Sequence, residues 1–512
     1  MQNSRPTFKR PWAFWLGVAS VTGGALLHVS LFVSARHDNY MLRGMGFDRW
    51  MDIGMVLIVC GYVGVLYGLA PRFRRSKAAG SIEIGLKALD SSRLGAAHIR
   101  LMLVLMLGIA IDTQKPFTFI LPGVANEYDL RSPTHPAPGH WPVALFPFVA
   151  IVGTVLGSLI WGHLGDRIGG MSAGGLLPIV YSLLAETIPT KRRGEVLVLV
   201  AGVGTAAGFL LASWTAHWLI PAFGWRFMWF FGIPTGLALI GLNKYIPESP
   251  RFLLANGRRD EAHEVMRSFG IVVSETPVAD ERSAAPEPRP GLISVFRRPH
   301  RGISVVLTVY GLAWGLVNFG FLVWLPIHVA KSGVSAGQVT AILARAALFA
   351  TPGSILVSQI YARWSSRGAL IAAAALEAAT LGVFAASGGT IVHHTTLFSA
   401  LIVVLLVSMW ATISALAPYS AEIYPTGIRV AGSGVVAGSG VVAGATKLGG
   451  VLALGLSVAA IAPPSLVGAA LLAAIPAGLG ALMLLVYRIE TRGRHLEEIT
   501  AAPEQRLAEQ PA

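Results

Sequence analysis

A chain of 512 residues with 54% hydrophobic and only 13% charged side chains carries too little polar surface to coat a soluble globule. Its net charge of +14 invites a nucleic-acid partner. Lys and Arg, however, gather in a few loops between apolar stretches, as they do on the inner side of a membrane protein, and a nucleic-acid reading is set aside.

Thirteen apolar stretches, near 11–33, 52–70, 98–121, 141–164, 170–189, 195–220, 226–246, 303–328, 338–361, 369–388, 395–418, 430–459 and 465–487, are long enough or nearly so to cross a bilayer. They are continuously apolar and do not alternate, which disfavours a β-barrel and predicts an all-α polytopic membrane protein. Arg5, Lys9 and Arg10 precede the first span and place the N-terminus inside. No A-x-A cleavage site follows that span, so it is read as retained. The lone Cys60, inside the second span, excludes a disulfide and a cysteine metal site. Arg72, Arg74, Arg75 and Lys77 put the next loop inside again, and 122–140, with Asn126, Glu127, Asp129 and four prolines, then falls outside.

The polar stretch 247–302 carries nine arginines from Arg251 to Arg301. Its GRRDEAHEVMRSFG predicts a short amphipathic surface helix beginning after Gly257, and the SETPVADERSAAPEPRP that follows has the Pro- and Glu-rich composition of a flexible segment. The expected organisation is a two-span N-terminal addition with its linker (1–97), an N-terminal bundle (98–246), a cytoplasmic central loop (247–302), a C-terminal bundle (303–487) and a cytoplasmic tail (488–512).

Five loop signatures then become recognisable: GHLGDRIG at 162–169, AETIPTKRRGE at 185–195, PESPRFLL at 247–254, AEIYPTGIRVAGSG at 421–434 and ETRGRHLEEI at 490–499. Together, in this order and at helix ends, they resemble the major facilitator superfamily, in particular its sugar-porter-like branch of metabolite:proton symporters. The resemblance covers about 98–499 and leaves the first two spans as an addition. It implies two pseudo-symmetric helix bundles around a central cavity, working by alternating access. Asp166 and Arg167, Glu186 with Arg192 or Arg193, and Glu422 with Arg429 are then candidates for a latch between bundles. Simple anchoring at the membrane surface is the competing reading for the arginines.

The chain departs from the family pattern in three places. The first motif should continue Gly-Arg-Arg, yet Gly169 is followed by Gly170-Met171, and the text from Met171 resembles the start of the family's fourth helix. One helix is therefore expected to be missing at Gly169-Gly170. Only 23 residues separate Arg167 from Lys191, so a single crossing would put two basic ends on opposite sides. A distorted or displaced helix with both ends inside is expected over 170–189. The loop YARWSSRG at 361–368 is degenerate, and AGSGVV at 431–436 recurs unchanged at 437–442, through either composition or a tandem duplication.

Charges within the spans need a reason, since each costs on the order of 3 kcal/mol at mid-bilayer. Asp112 lies close to mid-span and Lys115 is three residues on, on the same helix face. Asp112, with Lys115, is the candidate for the coupling proton, and a structural ion pair is the alternative. Arg345 and Lys447 are candidates to hold an anionic substrate group, with snorkelling to the interface as the alternative. Glu377 pairs with either of them or carries the proton itself. Asn318, Gln359 and Tyr181 are candidates for the cavity wall, while Trp314 and Trp324 read as interface anchors. Gly202, Gly204 and Gly208, and the Gly434/Gly438 and Gly440/Gly444 pairs, have the spacing of close helix packing.

Nothing supports an enzyme, a nucleotide site, a cofactor or a metal. The GxGxxG spacing is not met, GATK at 444–447 is no phosphate loop, and the adjacent His393-His394 lack metal-ligand spacing. The expected function is a secondary transporter of the bacterial inner membrane, both termini cytoplasmic, moving a small organic metabolite with protons. The basic intramembrane residues favour an organic acid. A sugar porter or facilitator is the nearest alternative, and a transport-dead sensor or partner-binding membrane protein comes from another class.

Overall fold

The computed structural model describes residues 10–38, 48–69, 94–114, 117–131, 141–155, 180, 183–184, 187–242, 245–248, 250, 253, 258–270, 296, 301–331, 333–334, 336–423, 437–459 and 465–492. Among them the chain is helical, with one isolated bridge between Arg131 and Pro142 and no named strand. Among the described residues eight helices are long and apolar enough to cross a membrane. The protein is an all-α polytopic membrane protein, as its composition requires: with no water in the bilayer core, each backbone N–H and C=O must find a partner within its own helix.

The first two helices, α1 (Pro11–Leu27) and α2 (Arg49–Leu69), pack on each other. Ser20 donates to the Leu57 carbonyl at 2.8 Å, and the Arg10 guanidinium lies 4.1 Å from the centre of the Tyr67 ring. The third predicted span is two helices, α3 (Ala96–Thr113) and α4 (Phe117–Glu127). The short apolar helix α5 (Leu145–Val155) follows. The continuous apolar stretch at 195–220 extends at both ends into α6 (Thr190–Phe223), whose first turn holds Arg192 and Arg193, with Glu195 in the second. Helix α7 is Gly232–Leu242.

The expected surface helix is present as α8 (Arg259–Ser268). Asp260 and Glu261 lie in its first turn and Arg267 in its last, each sign where the helix dipole favours it. Arg258 donates from Nε to Glu261 Oε1 at 2.7 Å, and this bond holds the Glu261 carboxyl below its ordinary value. Ala262, Met266 and the following Phe269 are buried against Leu101, Val180, Leu184, Ile188 and Val196, so the helix lies under the basic ends of α3 and α6.

The second group comprises α9 (Arg301–Gly315), a π-helical turn Leu316–Phe321, α10 (Leu322–Lys331), α11 (Ala336–Arg363), α12 (Ser366–Ala386), α13 (Thr395–Ile423), α14 (Ala437–Val458) and α15 (Leu466–Val486). Its core includes Tyr310, Trp314, Phe321, Trp324, Phe384, Phe398 and Trp410. Trp314 and Trp324 are 8% and 2% exposed, which corrects their reading as interface anchors. Trp314 Nε1 donates to the Met409 carbonyl at 3.0 Å, so its indole N–H is satisfied inside the bundle.

The two groups meet along α6, which packs against α11 and α13. A Cβ at Gly202 would lie 2.9 Å from Ser414 Oγ and 3.1 Å from Ser354 Cβ, one at Gly204 2.8 Å from Ile109 Cβ, and one at Gly208 would collide with Thr113 Oγ1 and the Ala110 carbonyl. These three glycines pack closely, as their spacing predicts. In α14 the reading is corrected at Gly444, which faces open space, whereas Gly449 and Gly450 meet α9 and Phe319. The junction at Gly169-Gly170, the first AGSGVV copy and most of 170–189 lie outside the described residues. Within 170–189, Val180, Leu183 and Leu184 are buried against α3.

Candidate functional site

The break between α3 and α4 is the first feature that separates this chain from a stack of plain spans. Gln114 leaves the helix with φ −64° and ψ 108°. Pro116, two residues on in the sequence, accounts for the stop: it has no N–H to donate and disfavours the helical region for Lys115, so the helix ends at or before that residue. Irregular backbone at membrane depth is tolerated where it lines a wet cavity or is covered by protein. Asp112 stands in the last turn of α3, exposed, beside the break. Its expected partner Lys115 lies outside the described residues.

Across from the break, Lys447 is half-buried on α14. Asp112 lies within electrostatic reach of its ammonium. The two charges come from different helix groups, one from each side of the central stretch 247–302. Across the same seam, a Cβ at Gly450 would lie 3.0 Å from Ile151 Cδ1 and one at Gly455 3.3 Å from Phe148 Cε2, so α14 also touches α5.

Asn318 sits half-buried in the π-helical turn after α9. A π turn inside an α-helix re-aims side chains and recurs at functional positions. Sequence reasoning proposed Asn318 for its polarity and had no signal for the π turn.

Arg345 stands apart. It is exposed on α11 and shares its face with Leu348, Phe349, Ile355 and Leu356, all exposed. Positions 345, 348, 349, 352, 355 and 356 form one helical stripe, the pattern of a lipid-facing surface. Its Nε donates to the Ala341 carbonyl at 3.3 Å.

Glu377 is 1% exposed inside the second group. Its Oε2 accepts from Thr412 Oγ1 at 2.8 Å, and its Oε1 is buried with no hydrogen-bond partner. It forms no ion pair with Arg345 or Lys447, which corrects that expectation: α12 turns this face toward α13, and the cations project elsewhere.

Gln359 is drawn away from a cavity wall. It donates from Nε2 to Glu195 Oε1 at 3.0 Å, across the seam between α11 and α6. Two residues along, Tyr361 donates to Glu422 Oε2 at 3.1 Å, and a Cβ at Gly194 would lie 3.1 Å from the Tyr361 ring. Arg192 is exposed and Arg193 half-buried beside this cluster. Of the remaining latch candidates, Asp166, Arg167, Glu186 and Arg429 lie outside the described residues, as does Tyr181 of the wall candidates.

Two polar clusters escaped the sequence. Glu490 accepts from Ser365, from both the N–H (2.9 Å) and hydroxyl of Ser366, and from the Arg492 N–H (3.1 Å). Burial pushes this carboxyl up, but the hydrogen bonds outweigh it and hold it below its ordinary value. At the other end, Glu127 accepts from Trp225 Nε1 at 3.1 Å and forms an ion pair with Arg226. Among the described residues no cluster of His, Cys, Asp and Glu could hold a metal ion.

A family model described as Major Facilitator Superfamily matches residues 168–446. The niacin transporter NiaP of Acinetobacter baylyi is 24% identical over 387 residues, covering 68% of this chain and 84% of that protein. The 4-hydroxybenzoate transporter PcaK of the same organism is 27% identical over 280 residues, 51% of this chain and 58% of its own length. Among solved structures, the proton:xylose symporter XylE bound to 6-bromo-6-deoxy-D-glucose superposes with a TM-score of 0.56 at 16% identity. It covers 79% of this chain and 98% of its own.

Proposed function

Since the chain belongs to the major facilitator superfamily of membrane transporters, we propose that it carries a small organic acid across the membrane together with protons. The observation that carries this reading is the placement of Asp112, in the last turn of α3 beside the helix break, within electrostatic reach of Lys447 on the opposite helix group. Lys447 offers a point positive charge to a substrate carboxylate. A proton taken up by Asp112 removes its charge and leaves the ammonium to the substrate. Loss of that proton restores the competition and favours release. One proton thus travels with one carboxylate, and rocking of the bundles 98–246 and 303–487 about this point exposes it to each side in turn. Niacin and 4-hydroxybenzoate, in the names of two relatives, are both carboxylic acids, which supports the substrate class.

Arg192, Arg193, Arg258, Arg363, Arg367 and Arg488 cluster at one end of the helices. That end is the cytoplasmic one by the positive-inside bias, in a bacterial inner membrane, with both termini on that side. The test is uptake into proteoliposomes with an imposed pH gradient, using a panel of aromatic and aliphatic carboxylates. Acid-driven accumulation is expected. Asp112→Asn should abolish accumulation but keep exchange, and Lys447→Gln should raise KM about tenfold, the worth of one charge-assisted hydrogen bond. No accumulation of any acid, or a KM indifferent to Lys447→Gln, would overturn the proposal.

A further inference from the structure

At the basic end of the first helix group lies a recess of 260 Å³, lined by Ala97, Arg100 and Leu101 of α3, Tyr245 and Pro247 after α7, and Ser268 and Phe269 at the end of α8. It lies where two apolar helices and the surface helix meet, at the end of the bundle that carries the basic residues. Arg100 supplies its positive charge. Among the described residues no ion pair or hydrogen bond engages the Arg100 guanidinium, whereas the nearby carboxylates Glu248 and Glu261 both act on Arg258. Tyr245 adds an amphipathic ring at the rim, a residue type suited to the interface.

What continues from this recess is apolar and open. Ile99, Leu103 and Leu107 on α3, and Leu237 and Ile240 on α7, are all exposed large hydrophobic side chains, and α7 packs on α3. A charged pocket above an apolar surface matches the two ends of a phospholipid. A cation beside a carboxylate or phosphate near the surface contributes an attraction that a zwitterionic headgroup does not repay as well. We infer that the Arg100 recess binds the phosphate headgroup of an anionic phospholipid of the surrounding leaflet, with its acyl chains along the exposed faces of α3 and α7. The bound lipid bridges α3, the end of α7 and the surface helix α8, so it holds the surface helix against the transmembrane body.

The experiment needs no transport substrate. The purified full-length chain in neutral detergent is titrated with short-chain phosphatidylglycerol, short-chain phosphatidylcholine and inorganic phosphate, read by native mass spectrometry and melting temperature. Phosphatidylglycerol is expected to bind and to raise the melting temperature, while the other two do not. Arg100→Gln should weaken this binding about fivefold, the effect of one interfacial cation. Arg100→Lys should retain most of the binding, which shows that the fold is intact, and Arg259→Gln on the surface helix should change nothing. Equal binding by Arg100→Gln overturns the inference. Equal binding of phosphatidylcholine would make the site one for acyl chains alone, and equal binding of inorganic phosphate would make it a site for soluble anions. Either result also overturns it.

Discussion

Gln359 reaches across the seam between the two helix groups to donate to Glu195 at 3.0 Å. A side-chain amide bound to a carboxylate at a half-buried site contributes about 1–3 kcal/mol, more than a neutral pair in water. With Tyr361 held by Glu422 and lying over Gly194, it closes the basic end. Gln359→Leu leaves the carboxylate without this donor and should raise the population open at that end about fivefold or more. The readout is the labelling rate of Ser354→Cys, a buried position behind the seam facing Gly202. A Cys60→Ser background and a membrane-impermeant maleimide are used. An unchanged rate would show that the seam does not depend on this bond.

Glu377 makes a different prediction because it faces Thr412 and no cation among the described residues. Gln keeps the acceptor for the Thr412 hydroxyl and nearly the same volume, so Glu377→Gln should fold and accumulate substrate normally. Glu377→Ala removes the acceptor and opens a cavity, and should cost about 2–4 kcal/mol, measured by thermal melting. Should Glu377→Gln abolish gradient-driven accumulation while exchange survives, the proton carrier would be Glu377 and not Asp112.

The spans were legible because runs of apolar residues this long have few other uses, and the surface helix because Ala262 and Met266 repeat at helical spacing between charges. The break at 114–116 was written in Pro116 but concealed by the apolar residues on both sides. The first turn of α6 was concealed by its charges, which end an apolar run without ending a helix. Arg345 could have been read correctly from its stripe with Leu348, Phe349 and Leu356. The partners of Gln359, Glu377 and Glu490 could not, since each bond joins residues 35 to 164 positions apart, and helix periodicity carries no information about which faces meet.

The Glu490 cluster predicts an acid limit. Its folded-state value lies below the ordinary 4.5 because the hydrogen bonds from Ser365, Ser366 and Arg492 outweigh burial. A depressed carboxyl contributes stability that is present above the unfolded value and lost as pH falls through the folded one. The melting temperature should therefore be flat from neutral pH to about pH 5 and fall below it, with part of the fall missing in Glu490→Gln. At neutral pH that variant should lose about 1–2 kcal/mol. Parallel acid curves for both proteins would mean that Glu490 contributes nothing to the limit.

Two glycines of similar appearance in the sequence should respond oppositely to alanine. At Gly208 a Cβ collides with the Ala110 carbonyl and Thr113 Oγ1 on the neighbouring α3. Backbone cannot rotate aside as a side chain can, so α3 and α6 must part beside the Asp112 break, at about 1–3 kcal/mol. At Gly444 nothing lies within 4 Å of the added Cβ. There alanine only restricts the unfolded chain and favours the helix, by up to about 1 kcal/mol. Melting of the two variants in one detergent should therefore move below and above the parent, and Gly208→Ala should also slow uptake by displacing Asp112. A Gly208→Ala protein as stable as the parent would mean that the approach of α3 to α6 is looser than the geometry requires.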